Sequence, residues 1–393
     1  MLAYKIGNYE IILSFVYHTT LSEKMQSFFQ NDIDFLHQIV YTIGYAHVCI
    51  TWWRMPTTIK DIAKQAGVSH TTVSRALHNN PLISEPTTRR ILKIASDLKY
   101  RPSFAARSLK TNRSQALGVI VSHIDDPFFS EILQGIDDIA QANGYSLFIA
   151  ASQQDPTREN AIVQTMREHR VDGVILCSSR FTAEQSSQLY SYNIPIVAIN
   201  NQADEEYQYS IYHDDVDGGE QACEHLINLG HRRIGYLGDA SSGRTTRERL
   251  AGYLRAIEKA KLVVNPDYIY QVQGNSPRQG YSAVGYFLDL EVKPTAIICY
   301  NDMMAVGVLK GLIEAGFQVP SDISVTGFDN ILYSDFTFPP LTTIDQPKRF
   351  LGAEAGRMML DLLSSNNILH HTDMGIKRLK GMLLIRQSTA PPN

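Results

Sequence analysis

Two hydrophobic rhythms divide the chain. From Thr58 to His78 it reads TIKDIAKQAGVSHTTVSRALH. Ile59, Ile62, Ala63 and Ala66 recur at i, i+3, i+4 and i+7, the spacing of one apolar helical face. Thr58 stands just before the run, where a side-chain oxygen can accept an orphan backbone N–H, and Gly67 stands just after it, where a left-handed cap fits. Ser69 then predicts the N-cap of a second helix, from His70 to about Leu77. Val73, Ala76 and Leu77 face inward there, and His70, Thr71, Ser74 and Arg75 face outward. Ser84, between Ile83 and Pro86 in its surroundings, predicts a third helix whose buried stripe is Ile91, Ile94, Ala95 and Leu98. A short helix with small polar donors and one arginine on its outer face, set behind a tight turn, fits a DNA major groove. An ordinary amphipathic helical hairpin is the alternative.

From Ala116 the rhythm changes. Seven runs are almost continuously apolar: LGVIVS (117–122), YSLFIAAS (145–152), DGVILCSS (172–179), IPIVAIN (194–200), RIGYLGD (233–239), TAIICYND (295–302) and ISVTGFD (323–329). Parallel strands covered on both faces read this way. The intervening segments, such as FFSEILQGIDDIAQANG, have a helical period and end at glycine. The alternation predicts an α/β doubly wound body. In such sheets ligands bind beyond the carboxyl ends of the strands. The polar and aromatic residues placed there are Asp125, Asp126, Phe128 and Phe129 after the first run, Asn200 after the fourth, Asn301 and Asp302 after the sixth, and Asp329 after the seventh. Arg249, in RERLAGY, opens a helix after the loop that follows 233–239. Amide, carboxylate and bidentate arginine groups suit a polyol, whose hydroxyls both donate and accept. Asn301 serves equally well as the cap of the next helix.

Charge sharpens the division. Residues 55–111 carry ten Lys or Arg against Asp61, Glu85 and Asp97, a balance of +7, which leaves −11 for the rest of a chain of net charge −4. A basic head on an acidic body is the electrostatic footprint of a phosphate-binding head. Residues 1–54 fit neither rhythm. They hold both tryptophans, Trp52 and Trp53, and their longest apolar run, Ile11 to Tyr17, is too short to span a bilayer. They show neither a basic n-region nor a small-residue cleavage site. They are expected to be an upstream extension without a folded role, a misassigned start ahead of Met55, with a segment that tunes the head as the alternative.

Little points to catalysis or metal. The four cysteines, Cys49, Cys177, Cys223 and Cys299, are scattered, and Cys177 and Cys299 fall in strand-like runs, as buried reduced thiols do. Cys223 and His225 are two apart and do not share a helical face, which disfavours a metal site with His231. The chain lacks G-x-S-x-G, H-E-x-x-H, G-x-x-x-x-G-K-[ST] and G-x-G-x-x-G. The expectation is a non-enzyme without a cofactor.

Three short helices followed by YRPSFAARSLKT, in this order, closely resemble the head of the lac repressor and galactose repressor family of bacterial transcriptional regulators. The resemblance runs from about Met55 to the C-terminus. It implies a helix-turn-helix domain at 55–102, a hinge helix and linker at 103–115, and an effector-binding and dimerisation domain at 116–393. The last would hold two subdomains like those of periplasmic sugar-binding proteins, about 116–214 with 345–372 and 215–344 with 373–393. It implies base reading by His70, Thr71 and Arg75, and phosphate contacts from Ser69, Thr72, Ser74 and Thr87. It places Arg107 in the DNA-contacting hinge, with Leu109 as a minor-groove wedge. Family members commonly carry asparagine at the position of His78. Effector contacts carry over to Asn200, Arg249, Asn301 and Asp329, and to Asp126 and Phe128. At Asn275 the lac and purine repressors have an aromatic residue, so Phe128 is the candidate ring here. The resemblance thus implies a cytoplasmic, nucleoid-associated homodimer that binds a pseudo-palindromic operator, most simply as a repressor, under the control of a small molecule such as a sugar. The alternative is a non-regulatory sugar-binding protein.

Overall fold

The structure, a computed structural model, describes residues 2–6, 9–13, 57–100, 113–180, 194–202, 208–241, 243–364 and 375–393. The chain divides into two compact units after Pro102. Arg107, Leu109 and the rest of the hinge lie outside the described residues, as does Cys49.

In the first unit, strands β1 (Leu2–Ile6) and β2 (Tyr9–Leu13) pair antiparallel, with Leu2 opposite Leu13. Of residues 1–54, expected to be an upstream extension without a folded role, these two strands are what falls among the described residues. Helices α1 (Ile59–Ala66), α2 (His70–Leu77) and α3 (Glu85–Asp97) follow. They enclose a core of Ile62, Ala63, Ala66, Val73, Ala76, Ile91 and Ala95. The Asp61 carboxylate closes the start of α1, taking both the N–H (2.8 Å) and the hydroxyl (2.7 Å) of Thr58. Gly67 caps the same helix at φ 66°, where a side chain would be strained. The Ser69 hydroxyl accepts the Thr72 N–H at 3.1 Å. Ser84 departs from expectation: its hydroxyl pairs with that of Thr87 (2.9 Å) and takes no backbone N–H.

The second unit holds two parallel sheets. The first contains β3 (Ala116–Val121), β4 (Ser146–Ala151), β5 (Gly173–Cys177), β6 (Ile196–Ile199), β7 (Tyr209–His213) and, far along the chain, β13 (Gly375–Leu379), in the order β13-β7-β6-β5-β3-β4. The second contains β8 (Ile234–Asp239), β9 (Ile269–Val272), β10 (Ala296–Cys299) and β11 (Ser324–Thr326), in the order β11-β10-β8-β9. A small antiparallel pair, β12 (Thr343–Asp345) with β14 (Met382–Leu384), completes the described strands.

All seven apolar runs are strands, and the alternation of side chains explains why the inner ones needed no polar face. In β3, Leu117, Val119 and Val121 enter one core while Ala116 and Ile120 enter another across the sheet. The first core is closed by α4 (Phe128–Ala142) and α10 (Lys348–Ser364), the second by α5 (Pro156–Glu168). The second sheet repeats this arrangement, with α8 (Pro277–Asp289) and α9 (Asp302–Glu314) on one face and α6 (Asp215–Asn228) and α7 (Arg244–Lys259) on the other. Double coverage fails at the edge strand β4, where Phe148 is 53% exposed.

The expected subdomain division needs one correction. Residues 375–379 were expected in the second subdomain, but β13 pairs in parallel with β7, Gly375 beside Tyr209 through Leu379 beside His213. The edge of the first sheet left open at β7 offers unpaired backbone groups, and β13 satisfies them. The chain therefore crosses between lobes after β7, after β12 and after β13.

Three helix pairs hold these layers through close backbone contact. Gly135 of α4 meets Gly352 of α10, Gly219 of α6 meets Gly252 of α7, and Gly280 of α8 meets Gly307 of α9. In each pair a Cβ on either glycine would collide with backbone of the partner helix. At the start of α9 the wholly buried Asp302 accepts the Thr343 hydroxyl (2.6 Å) and the Ile331 N–H (2.9 Å), tying the crossing segment to the second lobe. Burial pushes its carboxyl up to about 7 against the opposing pull of these hydrogen bonds.

Two predictions follow from this packing. Gly280→Ala is expected to cost about 1–3 kcal/mol by overpacking. Gly285→Ala, on the same helix with open space around its Cβ, is expected to gain up to about 1 kcal/mol from helix propensity. Urea unfolding of the two variants beside the parent protein measures the contrast. For Asp302 the folded value lies above the unfolded one, so its contribution to stability is full below the unfolded value and is lost as pH rises through about 7. The thermal midpoint of the parent, relative to Asp302→Asn, is expected to fall between about pH 4 and about pH 7.

Candidate functional site

The carboxyl ends of the strands of both lobes open onto one cleft. It is lined by Ser122, Asp126, Phe128, Phe129, Gln154, Ser178 and Asn200, with Gln202, Thr245, Arg249, Asn275, Tyr300, Asn301 and Asp329 completing it. The seven candidates named from sequence, Asp126, Phe128, Asn200, Arg249, Asn275, Asn301 and Asp329, are all brought together here. Sequence reading missed Gln154 because it lies past the end of the run at 145–152, and Ser178 because it lies inside the run at 172–179 that reads as strand. Ser122 and Tyr300 close runs that were read as strand. Gln202 and Thr245 carried no sequence signal, since only the approach of the two lobes joins them.

Arg249 organises the second lobe's wall. Burial alone would make its charge costly, but Asp215 holds its Nε at 2.9 Å, the Tyr300 carbonyl takes Nη1 at 2.5 Å, and Asp329 lies 3.4 Å from Nη2. Its guanidinium also lies 3.7 Å from the centroid of the Phe328 ring, within cation–π range. Asp215 is wholly buried, yet Arg249 and His213 outweigh that burial and hold it below the usual carboxylate range. Asp329 goes the other way. Burial pushes it up to about 8, with Arg249 opposing and Asp302 and Asp126 reinforcing the rise. Its Oδ1 accepts the Gln346 amide at 2.6 Å, and the buried Lys348 holds its carbonyl at 2.6 Å and that of Asn330 at 3.0 Å.

The first lobe contributes Asp126, whose Oδ1 accepts the Phe128 N–H at 3.0 Å and whose carboxyl is raised by burial. Phe128 and Phe129 meet edge to face, with centroids 5.3 Å apart. Asn200 accepts the His213 N–H at 2.8 Å, which fixes its amide across the strand ends. Asn301 both lines the cleft and caps α9, accepting the Met304 N–H at 2.8 Å. The cap expected from sequence is thus made from a position in the cleft wall. The left-handed backbone at Gln154, Ser178, Asn200 and Asp329 concentrates strain on the same wall. Gln202 ties the lobes directly. Its carbonyl accepts the Arg244 N–H (3.0 Å), its Oε1 the Thr245 N–H (3.2 Å), and its Nε2 reaches the Thr245 hydroxyl at 2.7 Å.

The second candidate surface is on the first unit. On α2, His70, Thr71 and Arg75 are exposed on the outward face, with Thr72 and Ser74 half-buried beside them. Ser69 and Thr72 are joined through their hydroxyls at 2.9 Å at the start of the helix. Lys60, Lys64, Arg89, Arg90, Lys93 and Lys99 are exposed on the same unit. His78 turns its Nδ1 to the Ser74 carbonyl at 2.7 Å.

Comparison with known proteins bears on both surfaces. Residues 58–103 match the family model described as bacterial regulatory proteins, lacI family, and residues 114–379 that of periplasmic binding proteins and sugar binding domain of LacI family. The HTH-type transcriptional repressor PurR of Haemophilus influenzae (strain PittEE) is 36% identical over 341 residues, covering 84% of this chain and 98% of its own. PurR of Aliivibrio salmonicida is 35% identical over 315 residues, 80% of this chain and 93% of its own. The structure of the lac repressor dimer bound to operator and the anti-inducer ONPF matches with a TM-score of 0.76 at 27% identity, over 85% of this chain and 99% of its own. A ribose-bound LacI family regulator from Enterococcus faecium matches with a TM-score of 0.63 at 28% identity, over 70% of this chain and 99% of its own. With the head and the body each matched by the family's own models and repressors aligned along nearly their full length, the chain belongs to the LacI family of bacterial DNA-binding transcriptional regulators.

Proposed function

We propose that the protein is a repressor that recognises an operator sequence and whose affinity for it is set by a small polyol, such as a sugar, held in the cleft. The observation that carries this reading is the cleft wall itself, hydrogen-bonding side chains from both lobes converging on one space, on a chain that also bears an exposed reading helix. A ligand that bridges Asp126 and Asn200 on one lobe and Arg249 and Asp329 on the other favours one lobe arrangement over another, and only such differential contact shifts a population. The first lobe begins directly after the hinge segment, so its movement is transmitted along the chain toward the head. Arg107 and Leu109 are assigned to that hinge, Leu109 as the wedge.

His70, Thr71 and Arg75 are the proposed base readers. Ser69, Thr72, Ser74 and Thr87 set register on phosphate. Homodimerisation supplies two such heads for a pseudo-palindrome. The exposed apolar groove of Leu309, Ile313, Tyr333, Phe336 and Phe338 and the exposed edge of β4 are suited to self-association. Action on DNA places the protein in the cytoplasm. Among the described residues no helix is long and apolar enough to cross a membrane.

Selection of duplexes from a randomised library by the full chain, with and without a pool of sugars, tests the reading. An enriched palindrome whose affinity changes with a pool member is the expected result. A chain that binds a sugar but enriches no sequence is a binding protein and not a regulator. Arg75→Ala is expected to lower operator affinity by about 1–3 kcal/mol and relax one operator position, read by repeating the selection. Arg249→Ala is expected to abolish the effector response and, because it strips buried Asp215 and Asp329 of their counter-charge, to cost the body about 3–5 kcal/mol of stability in urea unfolding. Operator titrations with and without effector check this.

A further inference from the structure

We infer that the effector is an electrically neutral, hydroxyl-rich molecule, and that the cleft refuses its phosphorylated and carboxylated derivatives. This rests on the reading of the cleft as the effector site and narrows its ligand by charge.

Arg249 is the one cationic side chain among the described residues lining the cleft. Its charge is already balanced by Asp215, and three of its five N–H groups are directed at Asp215, the Tyr300 carbonyl and Asp329. What remains can donate to a hydroxyl but cannot neutralise a second anion. Lys348, buried behind Asp329, is committed to the carbonyls of Asp329 and Asn330 and lies 3.3 Å from Glu131.

A fold of this kind has a second source of anion affinity, the helix N-termini that point at the strand ends. Here three of the helix N-termini at the cleft carry one of the protein's own oxygens. Asp126 takes the Phe128 N–H of α4, Asn301 takes the Met304 N–H of α9, and Gln202 takes the Arg244 and Thr245 N–H groups of α7. One of these plugs is itself a carboxylate. An incoming phosphate would meet occupied donors and, from opposite lobes, the carboxyls of Asp126 and Asp329. The upward displacement of both acids points the same way, toward a site that resists added negative charge. Hydroxyls meet the same wall well, because they can exchange hydrogen bonds with the carboxyls of Asp126 and Asp329 and accept from Arg249 and the asparagine amides. Phe128 and Phe129 supply apolar surface for the C–H face of a sugar ring, while Asn275 adds an amide.

The test is calorimetric titration of the full chain with matched sets: ribose and ribose 5-phosphate, glucose with glucose 6-phosphate and gluconate, galactose and galactose 6-phosphate, fructose and fructose 6-phosphate. Operator binding is measured on the same preparation. At least one neutral sugar is expected to bind, with its charged derivative weaker by about 100-fold or more, the scale of an uncompensated buried charge. A charged derivative that binds as tightly as its parent overturns the inference, as does a neutral half of the panel without a binder. If operator affinity then responds to an anion, the regulator reading stands and only the neutrality of the ligand is lost. A chain that binds a neutral sugar but selects no operator leaves this inference standing and removes the regulator reading.

Discussion

The body of this protein depends on a buried guanidinium. Arg249 sits at the first turns of α7, where the carboxyl end of β10, the start of α6 and the Asp329 turn converge. A lone charge in that position would cost several kcal/mol. Asp215 compensates it, His213 supports Asp215 from the last residue of β7, and the Phe328 ring covers the guanidinium face. The partners come from three other parts of the chain, at 213–215, 300 and 328–329, so this one cluster fixes the relative placement of four segments. The cleft wall is the exposed side of that arrangement, which makes its geometry a property of the fold and not of mobile side chains.

Much of this was legible in the sequence, because burial on both faces leaves a plain signature. The seven apolar runs announced seven strands, and the rule that ligands sit beyond strand ends brought Asn200, Asn301 and Asp329 to the cleft. What escaped was strand without that signature. Residues 209–213, YSIYH, mix tyrosine and histidine with small residues. Residues 375–379, GIKRL, put lysine and arginine on an exposed edge, and 343–345 is only TID. These are edge or crossing strands, stabilised by backbone pairing with distant segments, and no local pattern records such pairing. The misplaced subdomain limit near 373 has the same origin.

The helices show the complementary limit. A glycine inside a helix reads as a weakness when only propensity is considered. Gly135, Gly219, Gly252, Gly280, Gly307 and Gly352 are instead where two helices touch backbone to backbone. Gly285, of the same type and on the same helix as Gly280, touches nothing. Residue identity cannot separate the two cases; only the partner helix does. Three such helix contacts, one in the first lobe and two in the second, stiffen the lobes internally and leave the three crossing segments as the places where one lobe can move against the other.

The return of β13 to the first sheet bears on how the protein is made. The helical head depends on contacts close in sequence, and it is complete once residue 100 has been synthesised. The first sheet is different: Tyr209 waits for Gly375, and α10 must arrive before Val197 and Ile211 are covered. Domains fold as units as they emerge from the ribosome, and pairings of high sequence separation come late. On a nascent chain, therefore, the part that reads DNA is finished long before the part that senses the ligand, and the first lobe of the sensor, although it begins earlier in the chain, is closed almost last.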